Sequence, residues 1–188
     1  MVKTITVLIS GNGTNLQSLI DYKKLHPGCY NISQVISNKS NAYGLERAKS
    51  NGIKATVLIK TKEMTKEEYD TQLTELVGVT DLVVCAGFLR ILTSIMIERF
   101  TIINIHPALS NGYIGLNAIE RAFSDHQCNK LNYSGVMVHY VSAEVDRGRL
   151  IIEKVVPIYP NDNLSSFSER IHSVEHMLIV QAVKIVLE

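Results

Sequence analysis

The chain has 188 residues, of which 46% are hydrophobic and 20% are charged, the usage of an ordinary globular domain. Its 19 lysines and arginines nearly balance 18 aspartates and glutamates, which excludes a strongly basic surface for nucleic acid or an anionic membrane. The cysteines Cys29, Cys85 and Cys128 lie far apart and form no disulfide or zinc pattern. We expect one cytoplasmic domain without a membrane span, with halves of about 1–100 and 101–188.

The N-terminal half alternates predicted strands and helices. β-branched and apolar residues predict a strand over Thr4–Ile9, followed by a glycine turn and a helix over Asn15–Leu25. The same patterns then predict a strand at Ile32–Ser37, a helix at Ala42–Ser50, a strand at Ala55–Ile59, a helix after the capping-box spacing Thr65–Glu68, a strand at Asp81–Ala86, a helix at Ile91–Phe100 and a strand at Thr101–Ile105. Such alternation is typical of a parallel sheet with right-handed crossovers.

The last third of the chain has a different pattern. Two β-rich runs, Tyr133–Val141 and Leu150–Val156, predict an antiparallel pair joined by the loop 142–149. The capping-box spacing of Ser166–Glu169 predicts the start of a terminal helix that reaches about Val186. The sequence therefore predicts an α/β fold. We expect a Rossmann-like open twisted sheet, parallel in its N-terminal half, with an antiparallel C-terminal strand pair and helices on both faces.

The glycine turn after the first strand is a candidate anion site. Gly11–Asn15 connects a buried strand to a helix N-terminus, where free backbone amides and the helix dipole favour a phosphate. The spacing matches neither the dinucleotide-binding nor the Walker pattern. A purely structural tight turn therefore stays open as the alternative.

Polar residues at the end of the fifth predicted strand form a candidate catalytic pair. Strand alternation sends Asn104 and His106 to the same side, while Ile105 points into the core. An amide and an imidazole so placed can stabilise an oxyanion and relay a proton, although a surface asparagine and a hydrogen-bonded core histidine give the same pattern. Asp146, in the loop 142–149, is either a partner for His106 or a solvated carboxylate.

Other catalytic chemistries find little support in the sequence. The histidines show no zincin pattern, and His172 and His176, spaced as i and i+4 neighbours on a helix, form the one weak metal candidate. No nucleophile elbow and no cysteine–histidine signature is present. We therefore expect neither a metal nor a covalent intermediate.

A series of segments occurs in the order found in one known family. These are Val7–Gln17, Ser37–Lys39, Ala42–Ala48, Cys85–Leu92, Asn104–Leu109, Gly135–Val141, Glu144–Gly148 and Glu175–His176. Over nearly the whole chain they resemble the folate-dependent formyltransferases, and especially the branch that formylates glycinamide ribonucleotide in purine biosynthesis. The Asn-x-His-Pro motif with a later aspartate is shared by the whole family, whereas Ser-Gly-Asn-Gly-x-Asn-Leu-Gln marks the ribonucleotide branch and its hydrolase relative.

The resemblance implies a role for each matching position. The implied catalytic residues are Asn104, His106 and Asp146. The implied residues for the substrate's phosphate and ribose are Gly13, Thr14, Asn15, His172 and Glu175. The implied folate-binding residues are Leu89, Arg90, Ile91, Leu92, Val141, Glu144, Val145 and Asp146. The implied co-substrate is 10-formyltetrahydrofolate, with no metal, nucleic acid or membrane involved, and the chain would act as a monomer or homodimer.

The chain departs from the family pattern at three places, and alternatives stay open. Ala108–Gly112 lacks the second proline usual after this histidine, His172 stands where glutamine or lysine is common, and Thr14 replaces the commoner serine. One alternative is a 10-formyltetrahydrofolate hydrolase, which normally carries an additional N-terminal domain. Another is a folate- or nucleotide-binding module without activity. A tRNA formyltransferase would need a longer chain and a basic surface.

Overall fold

Residues 2–188, which the computed structural model describes, form one seven-stranded sheet with six helices packed around it. In chain order the elements are β1 (Thr4–Ile9), α1 (Thr14–Leu25), β2 (Asn31–Ser37), α2 (Tyr43–Ser50), β3 (Lys54–Val57), α3 (Lys66–Val77), β4 (Leu82–Cys85), α4 (Ser94–Arg99), β5 (Ile102–His106), α5 (Ala118–Gln127), β6 (Tyr133–Tyr140), β7 (Leu150–Pro157) and α6 (Leu164–Leu187). Across the sheet, the strands lie in the order β3-β2-β1-β4-β5-β6-β7.

The strand directions confirm the predicted fold class. Strands β1 to β5 run parallel to one another, whereas β6 runs antiparallel to both β5 and β7. The chain winds from β1 outwards to β2 and β3, and then returns to place β4 and β5 on the other side of β1. Such a reversal leaves a crevice at the carboxyl ends of the two central strands, here β1 and β4, where open α/β sheets bind their ligands.

Alternation along β1 divides the core into two apolar layers. Ile5, Val7 and Ile9 point into the larger layer, which α1, α2, α5 and α6 cover, while Leu8 points into the layer under α3 and α4. All four side chains are fully buried, and each contributes about 1.5–3 kcal/mol relative to an exposed position. Helices therefore cover both faces, as predicted. No helix within residues 2–188 is long and apolar enough to span a membrane.

Two predicted boundaries are wrong for simple reasons of pairing and capping. Strand β3 stops short of the predicted Ile59, because β2, the strand with which it pairs, ends at Ser37. Helix α6 begins before the predicted cap, because Asn163 and Ser166 form the capping box instead of Ser166 and Glu169. The Asn163 side chain accepts from the Ser166 N–H at 2.9 Å, so the helix already has its first turn capped there.

Helix α4 is also shorter than predicted, and this affects the site. It begins at Ser94 instead of Ile91, because the Thr93 N–H donates to the buried Asp70 Oδ2 at 2.6 Å and keeps the preceding residues out of the helix. The segment 87–93 is consequently a loop. Several of the residues expected to bind folate lie on this loop, with their backbone groups outside any helix.

Helix α5 has no counterpart among the predicted elements. Ala118, Ile119, Ala122 and Phe123 are buried on one side of it at helical spacing, so an amphipathic signal was present in the sequence. The start signal was weak, because the residue before the helix, Asn117, has φ 56° and caps no N–H with its side chain. The helix forms because its apolar face packs into the larger core layer.

Candidate active site

A cavity of about 700 Å³ opens at the carboxyl ends of β1, β4 and β5, within the size range of small-molecule sites. Every position predicted for the site lines it. These are Gly13, Thr14, Asn15, Leu89, Arg90, Ile91, Leu92, Asn104, His106, Val141, Glu144, Val145, Asp146, His172 and Glu175. The fold thus brings segments that are distant in sequence to one crevice, the one created by the reversal of strand order.

The glycine turn forms one end of this cavity. Gly13 is the N-cap of α1 and has φ 73°, and a Cβ there would lie 2.7 Å from the Gly44 Cα. No side chain caps the helix, so its first N–H groups, including those of Thr14 and Asn15, have no partner within α1. Uncapped amides at the positive end of a helix dipole form a site suited to a phosphate.

Arg47 of α2 braces the outside of this turn. Its Nε donates to the Asn12 carbonyl oxygen at 2.8 Å, and its Nη2 donates to Asn12 Oδ1 at 3.0 Å. Its Nη1 also donates to Gln17 Oε1 on α1 at 3.2 Å. One guanidinium therefore ties the tip of the turn to two helices and adds a positive charge beside it.

Asn104 lies in the middle of the cavity, where β5 pairs with β6. Its cross-strand partner is His139, whose Nε2 lies 3.3 Å from Asn104 Nδ2. Asn104 Nδ2 also donates to Asp146 Oδ1 at 3.3 Å. Both contacts are long for hydrogen bonds and therefore weak, so Asn104 can exchange one of them for an oxygen of a bound ligand at little cost.

His106 is held by both ring nitrogens and is 5% exposed. Its Nε2 lies 2.6 Å from the Tyr113 carbonyl oxygen, which can only accept, so Nε2 carries a proton. Its Nδ1 lies 3.5 Å from Asp146 Oδ2. Because the Nε2 proton is already committed to Tyr113, any proton that His106 offers to a ligand must be carried on Nδ1.

Asp146 is a buried carboxylate and not a solvated loop residue. Its side chain is 10% exposed, and its backbone adopts φ 52°, a left-handed conformation that aspartate tolerates better than most residues. The chain can fold back here because of Gly148, where a Cβ would collide with the Tyr140 carbonyl oxygen. The Gly115 N–H donates to Asp146 Oδ2 at 2.9 Å.

The surroundings of Asp146 favour its ionised form. Burial opposes ionisation, but the contact with His139, the Gly115 N–H and the positive charge of His106 outweigh it and hold the pKa of Asp146 below its ordinary value. The carboxylate lies 3.5 Å from His106 Nδ1, so it can form an ion pair with the ring when that nitrogen carries a proton.

His139 is the main site residue that sequence reasoning missed. It is buried, its Nδ1 donates to the Tyr140 carbonyl oxygen at 2.9 Å, and its Nε2 lies 3.5 Å from Asp146 Oδ1. The available signal was its place on a predicted strand that would pair with the strand of Asn104, but the register of that pairing could not be read from the sequence. The cavity also includes residues on segments where no role was expected, namely Lys66, Gly115, Leu116 and Asn117.

The other end of the cavity is apolar. Leu89 and Ile91 are 59% and 57% exposed, an unusual state for such side chains, and both line the cavity. The backbone of this loop is fixed by Ser10, whose hydroxyl accepts from the Leu89 N–H at 2.7 Å and donates to Asn38 Oδ1 at 2.6 Å. An apolar wall with a fixed backbone suits a flat heteroaromatic ligand that also needs backbone hydrogen bonds.

Arg90 places a cation at the rim of this apolar end. Its guanidinium lies over the Tyr69 ring, with 4.1 Å from Cζ to the ring centroid, and its buried Nε has no hydrogen-bond partner among residues 2–188. An arginine held by stacking and with unused N–H donors can receive a carboxylate.

His172 and Glu175 of α6 lie beside the glycine turn as an ion pair. His172 Nδ1 and Glu175 Oε2 are 2.7 Å apart, with the histidine half exposed and the glutamate buried. The hydrogen bond to Glu175 raises the pKa of His172, more than partial burial lowers it. Within residues 2–188, no group of three or more histidine, cysteine, aspartate or glutamate side chains is arranged to hold a metal.

The chain is similar to known proteins over nearly its whole length. The formyl transferase family model matches residues 3–183. The phosphoribosylglycinamide formyltransferase of Dictyostelium discoideum is 43% identical, over 98% of this chain and 98% of its own length. That of Schizosaccharomyces pombe is 41% identical, over 97% and 96%. The crystal structure of phosphoribosylglycinamide formyltransferase from Streptococcus pneumoniae TIGR4 has a TM-score of 0.89 and 32% identity, over 100% of both chains.

Proposed function

Because the chain belongs to the formyl transferase family, we propose that it transfers the formyl group of 10-formyltetrahydrofolate to the amine of glycinamide ribonucleotide. The products are formylglycinamide ribonucleotide and tetrahydrofolate, as a step of purine biosynthesis. One observation carries the proposal: the uncapped amides of α1, the Asn104–His106–Asp146 cluster and the apolar loop 87–93 line a single cavity. The scattered cysteines, which form no disulfide pattern, support a cytoplasmic location. We expect the enzyme to act as a monomer or homodimer.

The two ligands fit the two ends of the cavity. The first amides of α1 receive the phosphate of the ribonucleotide, and Glu175 accepts hydrogen bonds from ribose hydroxyls. The apolar loop 87–93 with Val141–Asp146 receives the pterin, and Arg90 receives the glutamate carboxylate of the folate. The amine of one ligand and the formyl group of the other then meet beside His106.

The chemical step is a direct acyl transfer. The glycinamide nitrogen attacks the formyl carbon, and the carbonyl electron pair moves to oxygen to give a tetrahedral oxyanion. We assign two donors to this oxygen, Asn104 Nδ2–H and His106 Nδ1–H, both of which face Asp146 in the unliganded site. Asp146 stabilises the protonated His106 and orders a water that carries the amine proton away. Collapse of the intermediate breaks the bond to N10 of the folate, which takes up a proton.

The proposal is tested by following tetrahydrofolate release with and without glycinamide ribonucleotide. We expect release only when the ribonucleotide is present. Release at the same rate without it would identify a hydrolase and refute the transferase assignment. Binding of both ligands without release would identify a binding module.

Gly13→Ala tests the phosphate end of the cavity. The added Cβ would meet the Gly44 backbone in a left-handed conformation, so the first turn of α1 must shift. We expect the KM for glycinamide ribonucleotide to rise by about tenfold or more, the loss of about 1.4 kcal/mol in binding, with the KM for the folate little changed. Steady-state kinetics with each substrate varied in turn measures this.

Gly52→Ala is the matched control for this variant. Gly52 has φ 67°, but a Cβ there would meet no atom within 4 Å, and the residue lies outside the cavity. Gly52→Ala should lose about 1 kcal/mol of stability, the cost of a left-handed alanine, and Gly13→Ala should lose at least as much because its Cβ also meets the Gly44 backbone. If Gly52→Ala raised the same KM, or if Gly13→Ala did not, the phosphate assignment would be wrong.

The ion pair of His172 with Glu175 predicts a pH dependence of substrate binding. The raised pKa of His172 keeps the ring protonated up to and beyond its ordinary value, so its positive charge near the phosphate is present at lower pH and lost as pH rises through the raised pKa. Glu175, Glu120 and His176 are the titratable groups that act on it. We expect the KM for glycinamide ribonucleotide to increase across that interval.

His172→Gln separates this effect from titration of the substrate amine. Glutamine keeps a polar side chain at the position but carries no charge at any pH. In this variant, the pH dependence of the KM for glycinamide ribonucleotide should reflect only the titration of the substrate. Identical KM profiles for the two proteins would show that His172 makes no charged contact with the substrate.

A further inference from the structure

The loop between β5 and α5 fixes two catalytic side chains through its backbone. The Tyr113 carbonyl oxygen accepts from His106 Nε2 at 2.6 Å, and the Gly115 N–H donates to Asp146 Oδ2 at 2.9 Å. A displacement of this loop would therefore move the imidazole and the carboxylate together. Both groups must be placed accurately for the reaction, because a misplacement of about 1 Å can cost on the order of 100-fold in rate.

The sequence of the loop gives it little stiffness of its own. It follows Ala108–Gly112, which lacks the second proline, and it contains Gly115 with φ 76°. Burial holds only one end of it, since Tyr113 packs against the larger core layer while Ile114 and Leu116 are 36% and 70% exposed. Its conformation must depend on contacts from a neighbouring element.

Helix α5 supplies these contacts, mainly through Arg121. Arg121 Nη1 donates to the Ile114 carbonyl oxygen at 2.7 Å and to the Leu116 carbonyl oxygen at 3.2 Å. The guanidinium also lies over the Tyr113 ring, with 5.0 Å from Cζ to the centroid. The Tyr113 hydroxyl is fixed in turn by Asp125, to which it donates at 2.6 Å. A single arginine thus contacts Tyr113 itself and the residues on either side of Gly115.

We propose that Arg121 is a positioning residue of the active site, which holds the Tyr113–Leu116 loop in the conformation that orients His106 and Asp146. Arg121 does not line the cavity, so it acts through the loop and not on the substrates. A planar guanidinium can bind carbonyl oxygens in its plane and stack on an aromatic ring with its face, which a lysine ammonium cannot do. The effect on turnover rests on the formyl transfer proposed above.

Arg121→Met tests the proposal, since methionine keeps an apolar stem and removes the guanidinium. We expect kcat to fall on the order of tenfold, with the KM for each substrate little changed, because the substrate contacts stay in place. Arg121→Lys, which keeps a donor for one carbonyl oxygen, should recover part of the loss. Arg99→Met, at an exposed arginine of α4 outside the cavity, is the matched control and should have wild-type kinetics.

A double-mutant cycle shows whether the effect passes through His106. Adding Arg121→Met to His106→Ala should cost much less than adding it to the wild type, because the group that the loop orients is gone. The full loss in both backgrounds, or an unchanged kcat in the single variant, would overturn the proposal.

Nitrogen NMR of the imidazole groups gives a readout independent of turnover. In the wild type, the hydrogen-bonded Nε2–H of His106, assigned from its absence in His106→Ala, should give a sharp signal. In Arg121→Met this signal should shift or broaden, while those of His126 and His172 stay unchanged. An unchanged His106 signal would reject the positioning role even in a protein with no formyl transfer activity.

Discussion

His106→Ala is expected to lower kcat for formyl transfer by about 10³-fold, the combined size of losing an oxyanion donor and a proton-relay group. The KM for both substrates should change little, since His106 makes its main contact in the transition state. The stability loss should stay near 1–3 kcal/mol, because the Tyr113 carbonyl oxygen loses its buried donor. Steady-state kinetics and thermal unfolding measure the two effects.

His126→Ala provides the control for the His106 variant. His126 is also partly buried, and its Nδ1 contacts a backbone carbonyl oxygen, that of Leu131, at 2.9 Å. It lies outside the cavity, so its replacement should cost similar stability but leave kcat unchanged. Equal activity in the two variants would remove His106 from the mechanism.

Asp146→Asn is expected to reduce kcat by about 100-fold or more, because the charge that stabilises the protonated His106 is lost while the shape is kept. The asparagine oxygen can still accept from the Gly115 N–H, so the loop should stay in place. The variant should bind glycinamide ribonucleotide as the wild type does, which calorimetry measures. Wild-type turnover would contradict the role of the carboxylate.

The lowered pKa of Asp146 also sets the sign of a stability effect. A carboxyl group whose folded pKa lies below its unfolded value stabilises the native state above the unfolded pKa, and this contribution is lost as pH falls through the folded pKa. The stability difference between wild type and Asp146→Asn should therefore shrink in acid. The same comparison can be made for Asp81→Asn, a position away from the cavity. The Thr4 N–H and Lys3 hold the pKa of Asp81 below its ordinary value as well, so the stability difference between this variant and the wild type should also shrink in acid.

Much of the fold could be predicted because local patterns and long-range packing agree. The apolar run of β1 is buried on both faces, and the capping box of Thr65 with Glu68 starts α3 as expected. Disagreement appears where a tertiary contact overrides the pattern. Asp70 makes α4 start later than predicted by binding the Thr93 N–H, a contact between residues that no local rule relates.

The site was partly predictable for a similar reason. Asn104 and His106 follow from strand alternation, since β5 places both at its carboxyl end. The role of His139 depended on the register between β5 and β6, and the loop contacts of Arg121 depended on a helix with no strong start signal. Residue types and motifs indicated which groups take part, but not which neighbours orient them.

The most direct test of the central claim is to follow an isotopically labelled formyl carbon from 10-formyltetrahydrofolate by NMR in the presence of glycinamide ribonucleotide. The structure predicts that the label appears in the new amide of formylglycinamide ribonucleotide, in amounts equal to the tetrahydrofolate formed, and that His106→Ala and Asp146→Asn slow its appearance. Label released as formate, with none in the ribonucleotide, would contradict the account.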